Sequence, residues 1–312
     1  MKVRCNMTFP TEIPTTEPTK TLSTENPDVR KTVKVGDAEM AYVDYGEGDP
    51  IIFMHGNPTS SFLWRNVAPH AVGLGRIIIP DMIAHGHSSN SPRDAYRYAD
   101  NVEYFDAFFD QLNLTKNVVF VLHDWGAAIG FYRSARFPEQ VQGIAYMESM
   151  VRPRFWTDMP PERQKVFRNF RTPEGEKSAV ETNFFVEKML FEFGIKRDLS
   201  ETEKNVYRRR TTEPGGTRLP SITMPNDIPF DGDPADNYEM IKLYGDWLRE
   251  TETPKLFVNA TEGHGTAGAA RDLTRTFKNQ TEVTVDAKHY VQEDQPAEVG
   301  QAVAAFVKGL RG

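Results

Sequence analysis

The chain has 312 residues, with 37 Lys and Arg against 44 Asp and Glu, a net charge of -7 and 39% hydrophobic residues. A chain of this length buries a core without staples, and its acidic balance with no long basic run argues against a nucleic-acid partner. The single cysteine, Cys5, excludes an intrachain disulfide framework and a cysteine-based zinc cluster.

No apolar run is long enough to span a membrane, and residues 1–25 lack the apolar centre of a secretory signal, so a soluble, cytoplasmic protein is expected. Residues 1–29 repeat Thr, Pro and Glu without apolar periodicity and are expected to form a disordered tail. From residue 38 the pattern changes to short runs rich in β-branched residues, at 39–45, 51–54, 77–80, 117–122, 141–147, 255–260 and 281–285, which read as strands. Stretches with helical spacing, 100–112, 126–137 and 266–277, fall between them. The later strands are nearly continuous in apolar residues, as parallel strands covered on both faces are. The alternation predicts an α/β fold with a mostly parallel central sheet covered by helices.

The alternation stops between about 150 and 230, where prolines separate helical patches such as 176–190 and 200–210. The expected organisation is the tail 1–29, a core formed by 30–150 and 231–312, and a helical cap at 151–230. An insertion there belongs at the carboxyl edge of the sheet, where open α/β folds bind ligands.

Three apolar runs end on polar residues that suggest chemistry. They are His55-Gly56-Asn57-Pro58 after 51–54, His123-Asp124-Trp125-Gly126 after 117–122, and Asp286-Ala287-Lys288-His289 after 281–285. The second has the form of a nucleophile elbow, with Asp124 at the reactive position and Gly126 keeping the crowded position free of a side chain, although Leu122 is larger than usual on the other side. Asp124 in this segment alone could equally cap the following helix.

A carboxylate is ionised at neutral pH and needs no base to attack carbon. Attack leaves an ester, and hydrolysis of that ester needs a base that activates water. His289, just after the last strand, suits that base, and an acid must orient it. Glu148, directly after 141–147, and Glu262, after 255–260, are the candidates. Glu148 is preferred because it follows a wholly apolar run, whereas the loop of Glu262 is rich in Gly and Thr. The order nucleophile, acid, histidine is that of the α/β-hydrolases.

The motifs 55-HGNPTSS-61, 63-LWRN-66, 123-HDWG-126, 143-GIAYME-148, 183-NFFVE-187 and 289-HYVQED-294 together resemble the haloalkane dehalogenases, in the subfamily with a glutamate after strand 6. The resemblance runs from about residue 38 to 310, and the coelenterazine luciferase of the Renilla type belongs to the same group. It implies an α/β-hydrolase fold with Asp124, Glu148 and His289 catalytic. Asn57 and Trp125 are implied as the halide clamp, with their backbone N–H groups forming the oxyanion hole. The implied reaction turns a small apolar haloalkane and water into an alcohol and a halide ion, with no metal or organic cofactor.

The alternative is a cofactor-independent luciferase using the same five residues on coelenterazine and O2. An epoxide hydrolase would need a pair of cap tyrosines, for which Tyr207, Tyr238 and Tyr244 are available. Two departures from the family pattern bear on the substrate. The loop Ala84-His85-Gly86-His87 replaces the usual Gly-x-Gly, and 189-MLFEFGIK-196 lacks the usual Leu-Pro.

Overall fold

The computed structural model describes residue 25, residues 29–213 and residues 218–312. The expected tail thus lies outside the described residues apart from Glu25 and Val29, as does Cys5. Eight strands form one sheet: β1 (Arg30–Val35), β2 (Ala38–Tyr45), β3 (Pro50–Met54), β4 (Arg76–Pro80), β5 (Val118–His123), β6 (Val141–Met147), β7 (Lys255–Ala260) and β8 (Gln280–Val285). Their spatial order is β1-β2-β4-β3-β5-β6-β7-β8. β2 runs antiparallel to β1 and β4, and all pairs from β4 to β8 are parallel.

The helices are α1 (Tyr98–Gln111), α2 (Asp124–Arg136), α3 (Pro161–Phe170), α4 (Pro173–Glu181), α5 (Glu201–Arg208), α6 (Leu219–Asn226), α7 (Ala235–Glu250), α8 (Ala269–Thr274), α9 (Val291–Asp294) and α10 (Pro296–Arg311). The period-2 alternation of side chains divides the buried strands between two cores. Ile52, Ile78, Phe120 and Tyr146 pack on one face with Phe105, Phe108, Phe131 and Tyr244 of α1, α2 and α7. Ile51, Phe53, Ile77, Val119, Val121 and Ala145 pack on the other with Val299, Val303 and Val307 of α10. Both faces are covered, which is why β3, β4 and β5 read as unbroken apolar runs.

Between β6 and α7 lie α3, α4, α5, α6 and a π-helix, Phe185–Phe193. The single helix expected over 176–190 is two segments. The break is at Asn183, whose φ of +52° is left-handed and cannot continue an α-helix. The π-helix occupies the stretch that lacks Leu-Pro and ends at Gly194, where a Cβ would lie 2.4 Å from the Tyr290 ring. The helix expected over 266–277 is confined to α8, because residues 263–266 wrap the Glu148 carboxylate instead. No helix among the described residues is long and apolar enough to cross a membrane.

Candidate active site

The sharp turn from β5 into α2 presents Asp124 at φ +51°, a conformation unfavourable for a residue with a Cβ. Gly126 permits it: a Cβ there would lie 2.3 Å from the His55 carbonyl oxygen, so the β3 loop and α2 could not approach as they do. That approach brings Asn57 to Asp124. The Asn57 backbone N–H donates to Asp124 Oδ1 (2.9 Å), while Oδ2 lies 3.5 Å from His289 Nε2. Burial pushes the Asp124 pKa up, but the hydrogen bond and charge of His289, with the Trp125 backbone N–H, hold it below the ordinary value.

Glu148 follows β6 directly, also left-handed at φ +46°, and is 1% exposed. Its Oε2 accepts from the backbone N–H groups of His264 and Gly265 (2.7 Å each) and faces His289 Nδ1 at 3.0 Å. Burial opposes its ionisation, yet His289 and these N–H groups hold its pKa down at about 2. His289 therefore lies between two carboxylates. Burial disfavours its charged form, but the bonds to Asp124 and Glu148 raise its pKa to about 9. Its two carboxylate neighbours thus favour the protonated imidazole.

Two further imidazoles pack on it. His264 lies nearly parallel to His289, with centroids 4.6 Å apart, and His123 lies at 4.8 Å. Burial and the neighbouring His289 charge keep both neutral, with the His123 pKa lowered to about 4. Of the two, His264 lines the cavity with Asp124, Glu148 and His289, in the loop 261–265 whose polarity the sequence directs toward the access path, though no ligand spacing singles it out. Glu148, His264 and His289 each bring a ligand atom within 4.8 Å of the others, so they could hold a metal. Glu148 and His289 are, however, already bonded to each other.

Asn57 and Trp125 line the same cavity as Asp124, Glu148 and His289. One N–H of the Asn57 amide donates to the Ser221 carbonyl oxygen in α6 (2.9 Å), leaving the second. No described residue accepts from the Trp125 indole N–H, and the ring itself is 4% exposed. The five residues singled out from the sequence thus meet around one cavity of about 320 Å³.

The other candidates have other uses. Glu262 is exposed and pairs with Lys196 (2.6 Å). Tyr207 donates to Glu293, and Tyr244 donates to the Met150 carbonyl oxygen (2.7 Å). The tyrosine that lines the cavity is Tyr290, whose hydroxyl donates to the Asn57 carbonyl oxygen (3.1 Å), so an epoxide-activating pair of cap tyrosines is not assembled among the described residues. The atypical loop wraps Asp81, which accepts from the N–H groups of Ser61 (2.6 Å) and His87 (2.9 Å). It also places His85 Nε2 3.4 Å from Asn57 Oδ1. Sequence reasoning missed Arg154 and Arg163, which line the cavity from the segment between β6 and α4.

The chain matches the family described as the alpha/beta hydrolase fold over residues 49–296. A haloalkane dehalogenase of Sphingobium indicum is 46% identical over 285 residues, covering 90% of this chain and 96% of the relative. One from Mycolicibacterium smegmatis is 42% identical over 89% of this chain and 90% of its own. The crystal structure of a haloalkane dehalogenase from Bradyrhizobium elkani superposes with a TM-score of 0.85 at 32% identity, covering 90% of this chain and 98% of that one. The parallel sheet, the left-handed aspartate at its strand end and these relatives together make the chain a member of the haloalkane dehalogenases of the α/β-hydrolase fold.

Proposed function

We propose that Asp124 displaces halide from a haloalkane and that His289, oriented by Glu148, then drives hydrolysis of the alkyl ester. The observation that carries this reading is the division of labour at the Asp124 carboxylate: Oδ1 is fixed by the Asn57 N–H at 2.9 Å and Oδ2 faces His289 at 3.5 Å. Oδ2 attacks the carbon, the carbon–halogen bond breaks, and the halide leaves with the bonding pair. The indole N–H of Trp125 and the second amide N–H of Asn57 receive it as uncharged donors.

Esterification removes the Asp124 charge. That charge is one of the two that raise the His289 pKa. Its loss releases the imidazolium proton, so the same histidine that paired with the nucleophile becomes a base one step later. Water gives a proton to Nε2 and attacks the ester carbonyl carbon. The developing oxyanion sits on Oδ1, against the Asn57 and Trp125 backbone N–H groups; the acyl–oxygen bond breaks as Nε2 returns its proton to the departing oxygen, freeing the alcohol, and the new carboxyl group passes its proton to Nε2, restoring the resting pair. Water and haloalkane become alcohol, halide and a proton. Residues 151–230 serve as the cap over this site, contributing Met159, Phe167, Phe185 and Met189 to the cavity wall, which favours an apolar chain.

The test is halide and acid release from 1,2-dibromoethane or 1-iodohexane, abolished in Asp124→Ala. Release that persists in the variant overturns the mechanism. Light from coelenterazine in air, without halide release, would assign the site to the luciferase chemistry instead.

A further inference from the structure

The cavity walls are mostly apolar, with Met150, Met159, Phe167, Phe185, Met189 and Ile228 contributing, yet two arginines, Arg154 and Arg163, line the same space. Arg154 has a structural use: Nη2 donates to the Gly265 carbonyl oxygen (2.5 Å), and the Gly265 N–H in turn holds Glu148. Arg163 has no comparable use. Among the described residues no carboxylate pairs with it and no acceptor takes its N–H groups, and the charge that reaches it favourably is that of Glu148, across the cavity lining they share.

Its position is otherwise unfavourable. It is half-buried, so its charge is partly desolvated, and burial pulls its pKa down. It lies in the first turn of α3, where the helix dipole disfavours a cation. A guanidinium stays protonated regardless, and its fork of donors matches a carboxylate. Of the other carboxylates on the cavity, Asp158 is bound by Arg152 (2.9 Å), while Asp124 and Glu148 are bound by His289. Among the described residues neither cavity arginine is paired with a carboxylate, but Arg154 is anchored on the Gly265 carbonyl oxygen, whereas Arg163 has no such anchor and is left for a ligand.

We propose that this site takes haloalkyl chains bearing a carboxylate at the end remote from the halogen, with Arg163 as the specificity-determining residue for that end. The proposal rests on the dehalogenation reading above and names its substrate class. A bromoalkanoate and water give a hydroxyalkanoate, bromide and a proton: the carbon–bromine bond breaks, the pair leaves on bromide, the hydroxyl oxygen is Asp124 Oδ2, and the oxygen of water replaces it in the carboxylate. The carboxylate keeps its charge throughout and is held by Arg163, while the methylene chain lies along the methionine and phenylalanine wall.

The experiment compares 6-bromohexanoate with 1-bromohexane in bromide-release assays of the wild type, Arg163→Gln and Arg163→Lys. In the wild type the acid is turned over. In Arg163→Gln the ratio of kcat/KM for acid over neutral substrate falls about tenfold, through the KM of the acid, as expected for loss of one charge-assisted contact. Arg163→Lys recovers part of the ratio. An unchanged ratio, or a wild type that releases bromide from 1-bromohexane and ignores the acid, overturns the proposal and leaves Arg163 as a side chain whose head merely reaches water. Calorimetric titration with hexanoate separates this from the chemistry: binding to the wild type that is lost in Arg163→Gln supports the proposal, and no binding overturns it. Release of bromide from neither substrate would instead overturn the dehalogenation reading, with the titration still deciding the role of Arg163.

Discussion

The reactivity of Asp124 depends on what surrounds one histidine. In the resting site His289 bridges Asp124 Oδ2 and Glu148 Oε2, at 3.5 and 3.0 Å, and carries the proton that two adjacent carboxylates demand. The nucleophile is then ionised and oriented, but its partner cannot yet act as a base. In the proposed mechanism, alkylation cancels the Asp124 charge and so lowers the pKa of the imidazole toward a useful range, which makes the base available at the step where the ester first exists. Replacing His289 should leave displacement possible and stop hydrolysis. His289→Gln incubated with 1-bromohexane should give one stoichiometric burst of bromide and a stable mass increase of one hexyl group on the peptide containing Asp124. Multiple turnovers, or a protein of unchanged mass after the burst, would show that the ester is resolved without this residue.

At the scale of elements, the loop carrying His289 is held by a buried charge network rather than by apolar packing alone. Glu293 of α9, with its side chain 0% exposed, takes both Nη atoms of Arg65 (2.7 and 2.9 Å), Arg197 (2.5 Å) and the Tyr207 hydroxyl of α5. It thereby ties the loop after β3, α5 and the turn after β8 to one another. Glu293→Gln should cost roughly 3–5 kcal/mol in urea denaturation, because the Arg65 guanidinium loses its buried counter-charge and keeps only the part-exposed Glu203 (2.8 Å). Glu203→Gln, in the better-solvated part of the same network, should cost about 1 kcal/mol or less; equal losses would refute the distinction. None of this was legible in the sequence, where Glu293 is one acid among 44 Asp and Glu. What was legible follows from burial. β3, β5, β6 and β7 are covered on both faces and read as apolar runs, and the residues just past their ends are the ones free to carry chemistry. β1 was missed because it is an edge strand in which lysines and an arginine alternate with Val and Thr, leaving no apolar run to read. Arg154 and Arg163 were missed because nothing local marks them. Their meeting with Asp124 and His264 is a product of tertiary folding between β6 and α7.

For the molecule as a whole, the buried imidazoles fix how stability varies with pH. His55, His85 and His123 have pKa values lowered to about 4, first by burial, and burial also lowers those of His264 and His70. Between about pH 4 and the ordinary histidine value near 6.5, the unfolded chain binds protons at these five positions that the folded chain resists, so stability rises with pH across that interval. His289 has the opposite sign. Its pKa is raised to about 9 by the two carboxylates that outweigh its burial, so its stabilisation is complete below about 6.5 and is lost as the pH rises toward 9. Lys255, lowered to about 8 by burial, works against that loss only above pH 8. Stability should therefore peak near neutrality, with a steep acid limb to which five imidazoles contribute and a shallow basic limb set by one. Urea midpoints measured from pH 4.5 to 9 should show this asymmetry, and His289→Gln should remove the decline between 6.5 and 8 while leaving the acid limb in place. A basic limb as steep in the variant as in the wild type would mean that the imidazolium bridge between Asp124 and Glu148 does not exist in solution, and with it would go the electrostatic ordering of the two half-reactions.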